Sequence, residues 1–124
     1  MKLENQVVSL ELAKKLKELG VKQESLFYWV LLENEFGKDW IIIQGDDSIE
    51  AVYKNNKYSA FTVAELGEIL PELCLSGNTG EGFNCWKFRN IHDLAFYNPA
   101  QSKTEADARA KMIIYLIENK LIKL

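Results

Sequence analysis

Ser102-Lys-Thr-Glu-Ala-Asp-Ala-Arg-Ala-Lys-Met-Ile-Ile-Tyr-Leu-Ile-Glu-Asn119 is the stretch whose reading decides the fold. Ser102 and Glu105 have the spacing of a capping box, which starts a helix by satisfying backbone donors reciprocally. The helix then carries two apolar stripes. Ala106, Ala110, Ile113, Ile114 and Ile117 form one, and Ala108, Met112, Tyr115 and Leu116 form the other. Only a wedge of Asp107, Lys111 and Glu118 is firmly polar. A surface helix buries one stripe and hydrates the rest. This one must bury two sides, against the rest of the fold or against a second copy of the chain. Met and Tyr are enriched at interfaces, so Ala108, Met112, Tyr115 and Leu116 are the candidate interface of a homodimer.

Working back from that helix, the remaining elements read as helix, two strands, helix, two strands. Residues 9–20 predict a first helix. Ser9 is its N-cap, Val8, Leu12, Leu16 and Leu19 its narrow apolar stripe, and Gly20 its terminator. Residues 25–32, Ser-Leu-Phe-Tyr-Trp-Val-Leu-Leu, are apolar without interruption. Their aromatic and β-branched content favours a strand with both faces covered over a buried helix. Residues 33–39 read as a turn around Gly37, and Trp40–Gln44 as the return strand. Residues 49–59 hold either a tight Asn-Asn turn or an irregular connection. Thr62-Val-Ala-Glu65 is a second capping box, opening a short helix that Pro71 stops. Residues 76–82 read as a flexible loop, and residues 83–88 and 92–97 as two further strands. The expected architecture is therefore α+β, a single domain over residues 1–124. A mostly antiparallel sheet of about four strands is flanked by N- and C-terminal helices, with a short middle helix.

Composition narrows function more by exclusion than by indication. The chain has 124 residues, 48% of them hydrophobic, and a net charge of −3. A chain of this size can bury about two thirds of its unfolded surface. The acidic balance argues against a duplex nucleic-acid partner, which requires a basic face. Lys14, Lys15 and Lys17 cluster where cations answer the dipole of the first helix. No secretory signal is evident, and the longest apolar run, Leu26–Leu32, is far short of a membrane span. The cytoplasm is the expected compartment, with no membrane association and with Cys74 and Cys85 reduced.

No catalytic or ligand motif rises above background. Gly77, Gly80 and Gly82 lack the Lys-Ser/Thr and the helix of a phosphate loop. His92 is the only histidine, and Cys74 and Cys85 stand at no standard metal spacing, so neither metal nor cofactor is expected. Asp46-Asp47 and the acidic residues of 33–39 fit solvated turns. The three Trp and five Tyr could serve as stacking platforms, though core packing accounts for most of them. Trp86 and Tyr58, each beside a lysine, are the expected exceptions. Trp86, Arg89 and His92 make a candidate ligand surface beside the 76–82 loop.

Ala60-Phe-Thr-Val-Ala-Glu-Leu-Gly-Glu-Ile-Leu-Pro71, Thr104–Asn119 and Leu10–Gly20 together resemble small proteins of bacterial prophages and gut bacteria, similar to the phage-type α-β-α sandwich family. The resemblance implies helices flanking an antiparallel sheet and a mobile-element origin, and it supplies no catalytic residue set. The leading expectation is a non-enzymatic protein-interaction module with an unknown protein partner. The alternative is a binder of small ligands or single-stranded nucleic acid, using exposed aromatics near residues 76–82.

Overall fold

A computed structural model describes residues 2–46, 53, 57–71, 74–78, 82–87 and 100–122; for 74, 75, 78, 86 and 87 it describes the backbone alone. The fold is α+β. Helices α1 (Leu10–Glu18), α2 (Val63–Ile69) and α3 (Glu105–Glu118) accompany two small antiparallel sheets. A 3-10 turn at Leu3–Asn5 precedes them. Strands β1 (Phe27–Asn34), β2 (Gly37–Gln44) and β3 (Lys57–Ser59) form the first sheet in the order β2-β1-β3. Strands β4 (Cys74–Asn78), β5 (Phe83–Lys87) and β6 (Ala100–Ser102) form the second in the order β4-β5-β6. Among the described residues the expected sheet of about four strands is two sheets of three. Residues 92–97, read as a strand, and the Asn-Asn turn at 55–56 lie outside the described residues.

Helix α1 forms where its stripe predicts. Ala13 and Leu16 are buried. Gly20, at φ 94°, ends the helix in a left-handed residue, and the Val21 N–H donates to Leu16 O at 3.0 Å. That bond is the signature of a Schellman end. Ser9 has the N-cap backbone conformation, but its side chain makes no capping bond. Its own N–H instead donates to Asp107 Oδ1 at 2.7 Å, tying the start of α1 to the first turn of α3.

The β1–β2 hairpin is longer than the sequence suggests. Pairing runs from Phe27↔Gln44 out to Asn34↔Gly37, leaving only Glu35 and Phe36 as the turn. Gly37 supplies the φ of 128° that the turn requires. Asn34 Oδ1 accepts from the Phe36 N–H at 2.8 Å, the local bond for which Asn is favoured in turns. Both faces of the inner half are used, as the continuous apolar run implies. Tyr28 and Val30 are buried with Ile41, Ile43 and Tyr53 on one side. Trp29 packs toward α1 on the other and donates from Nε1 to Val8 O at 2.8 Å.

Helix α2 opens with the expected capping box. Thr62 Oγ1 accepts from the Glu65 N–H at 3.2 Å, and Glu65 Oε1 accepts from the Thr62 N–H at 3.0 Å. The box expected at Ser102 and Glu105 does not form. Ser102 belongs to β6, paired with Phe83, and Thr104 caps α3 by accepting from the Asp107 N–H at 3.2 Å.

Helix α3 does bury two sides, and it does so within this chain. Ala106, Ala110, Ile113 and Ile114 join Val8, Ala13, Leu16, Phe61 and Leu66 in the larger cluster beneath α1 and α2. On the opposite side Ala108, Met112 and Leu116 pack with Cys85 against the second sheet, with Tyr115 half-buried beside them. The candidate interface is therefore corrected. Ala108, Met112 and Leu116 are 0% exposed, so a second copy could reach them only by displacing the β4-β5-β6 sheet. The second sheet, not a partner, covers the ridge. Cys85 is buried there as a thiol.

Candidate functional site

The ligand surface that the sequence nominates lies mostly outside the described residues. Trp86 lies in β5, described through its backbone alone, while Arg89 and His92 fall outside the described residues. Ser76 to Asn78, read as part of a flexible loop, is strand, paired to β5 with Gly77 opposite Asn84. Tyr58 is half-buried on β3, as its lysine neighbour suggests, and its ring lies 5.7 Å from that of Trp40.

A cleft that sequence reasoning missed opens where five elements begin or end. Its volume is about 780 Å³. Phe27 at the start of β1, Phe83 at the start of β5, and Val63 and Ala64 in the first turn of α2 line it, with Leu3 from the 3-10 turn. Thr62, Thr104, Glu105, Lys103, Asn5 and Gln6 complete the wall. The signal that could have found it is topological. Both capping motifs start helices that run away from one spot, so the first turns of α2 and α3 converge there.

Most polar groups of this wall are already engaged by the fold. The Thr62 and Thr104 hydroxyls cap their helices. Glu105 Oε1 accepts from Ser76 Oγ at 2.7 Å and pairs with Arg109 Nη2 at 3.4 Å. Arg109 also donates from Nε to Ser76 Oγ and from Nη1 to Val63 O, each at 2.8 Å. This network joins β4, α2 and α3 behind the cleft and holds the two helix starts together. With these groups committed, the cleft presents apolar side chains, with the exposed Lys103 at its wall. Its volume lies within the range of small-molecule sites, which are mostly apolar with a few placed polar groups.

Among the described residues no His, Cys, Asp and Glu side chains gather in a group able to hold a metal ion. No helix among them is long and apolar enough to cross a membrane. The chain matches no protein-family model, no curated protein and no solved structure.

Proposed function

We propose that this protein is a non-enzymatic binding protein whose working site is the cleft between the starts of α2 and α3, and that it holds a small, largely apolar molecule with an anionic end. The observation that supports this reading most is the cleft itself: about 780 Å³, walled by Phe27, Val63, Ala64 and Phe83, with Lys103 beside them. An apolar body would leave water against these side chains. An anionic end would meet the exposed Lys103 side chain at the wall. The wall carboxylate, Glu105, is held by Ser76 and Arg109, which suits it to a structural rather than a proton-transferring role.

Titration with 8-anilinonaphthalene sulfonate, an apolar anion, tests the reading. Ala64 is exposed on the first turn of α2, so Ala64→Trp fills the cleft mouth without entering the core. Saturable enhancement of the dye's fluorescence by the wild type, lost in a folded Ala64→Trp variant, is the expected result. Equal enhancement by the two proteins would sink the reading.

A second reading, the protein-interaction module, has its own support. Phe36 is 91% exposed at the tip of the β1–β2 hairpin. An aromatic side chain held in water on a paired arm is the kind of anchor that interfaces bury. A homodimer on this reading would use the hairpin rather than α3. Phe36→Ser should then return it to a monomer by light scattering, with the circular dichroism spectrum unchanged.

A further inference from the structure

The face of the first sheet that lies beside α1 gathers two features that the sequence holds apart, a lysine pair and half-exposed aromatic rings. The β1–β2 and β1–β3 registers set Leu31 opposite Trp40 and Trp29 opposite both Ile42 and Tyr58. Cross-strand partners share a face, so Trp40 and Tyr58 stand on the same side of the sheet and flank β1. Their ring centroids are 5.7 Å apart at an interplanar angle of 44°. Lys14 and Lys17, both exposed and one turn apart on α1, reach over them. Lys14 Nζ lies 5.1 Å from the Trp40 centroid, and Lys17 Nζ 5.0 Å from that of Tyr58. Trp40 also borders a shallow hollow of about 390 Å³ that Lys2, Glu4, Trp29 and Ile42 help to line.

We propose that this face binds single-stranded nucleic acid, stacking bases on Trp40 and Tyr58 and placing phosphates against Lys14 and Lys17. A dipole role explains lysines near the end of α1, but not their position over two half-exposed rings. Alternating cations and aromatic faces are the elements with which proteins hold single strands without reading sequence. The ammonium groups rest on the rings through exposed cation–π contacts, which are weak, and Lys17 Nζ also donates to Lys57 O at 3.2 Å. A phosphate draws them away and frees ring surface for a base. A duplex keeps its bases stacked on each other and offers the rings nothing. The chain's net charge of −3 also supplies no broad basic field for duplex binding. Lys14, Lys17, Trp40 and Tyr58 do not line the cleft, and the proposal does not depend on the cleft's reading.

Fluorescence anisotropy of the full chain with a short labelled oligothymidylate, an oligouridylate and a duplex of equal length tests the proposal. Binding to either single strand, with the duplex at least tenfold weaker, is the expected result. Two phosphate contacts give a slope of about −1.4 for log Kobs against log salt. Lys14→Gln with Lys17→Gln, shown to be folded by circular dichroism because Lys17 also bonds Lys57 O, should flatten that slope. Trp40→Leu should weaken binding about tenfold or more, as loss of a stacked base does, and Ala64→Trp should leave it unchanged. Absence of single-strand binding at low salt, equal affinity for the duplex, or equal affinity for polyglutamate would each overturn the proposal. So would full retention of binding in the double lysine variant.

Discussion

Replacing Gly67 with alanine sets two local effects of opposite sign against each other, and the structure decides between them. Gly67 sits inside α2, where glycine is about 1 kcal/mol less favourable than alanine, so helix propensity alone predicts stabilisation. A Cβ at this position, however, would collide with Arg109 Nη1. The guanidinium is not free to slide, because it donates to Val63 O and Ser76 Oγ and pairs with Glu105. Hydrogen bonds from charged groups contribute roughly 1.5–3 kcal/mol each when shielded. The Arg109 side chain is 23% exposed and its partners can be rehydrated, so displacing it should cost about 2 kcal/mol in all. Gly67→Ala should therefore destabilise the native state by about 1 kcal/mol. In an Arg109→Ala background the collision is gone, and the same change should stabilise by about 1 kcal/mol. Urea midpoints for the four proteins, at a common slope, measure a coupling of about 2 kcal/mol. If Gly67→Ala stabilises both backgrounds equally, the guanidinium moves aside without cost and the network does not hold the helix starts.

Two further outcomes follow from the fold. Thr62→Ala removes one half of the reciprocal cap on a seven-residue helix and should cost about 1 kcal/mol by denaturant midpoint; an unchanged midpoint would mean the cap contributes nothing. Lys57 is 7% exposed, and burial, with the Lys17 ammonium nearby, holds its pKa below the usual 10.5. Between that lowered value and 10.5 the unfolded chain binds more protons than the folded one, so wild-type stability should rise with pH relative to Lys57→Met. Parallel pH profiles for the two proteins would show that Lys57 is not desolvated.

The elements legible in the sequence were those with strong side-chain patterns. The uninterrupted run at Leu26–Leu32 gave β1, and Thr62 with Glu65 gave the start of α2, because periodicity and capping are local chemistry. The outer hairpin was not legible. Glu33, Lys38 and Asp39 are polar because that end of the arm faces water, and backbone pairing continues there without apolar side chains. Strand β4 was hidden similarly, since Ser76-Gly-Asn78 has loop composition yet pairs along β5. Strand β6 has three residues, too few for any period, and its pairing with β5 moved the α3 cap from Ser102 to Thr104. The two stripes of α3 were readable, but not what covers the second. That depended on strands whose composition concealed them. The same limit applies to both candidate sites. Phe27 and Phe83 meet at the cleft, and Lys14 meets Trp40, only through tertiary contacts.

The position of α3 between the two hydrophobic clusters bears on how the chain acquires its structure. Neither hydrophobic cluster is complete until α3 arrives, and α3 follows the six described strands in the order of synthesis. The two clusters should therefore not mature one after the other on the ribosome. Each waits incomplete until the same helix closes both. In the finished protein the corresponding expectation is that the α3 amides exchange with solvent deuterium only through global opening, whereas those at the hairpin tip exchange by local fraying.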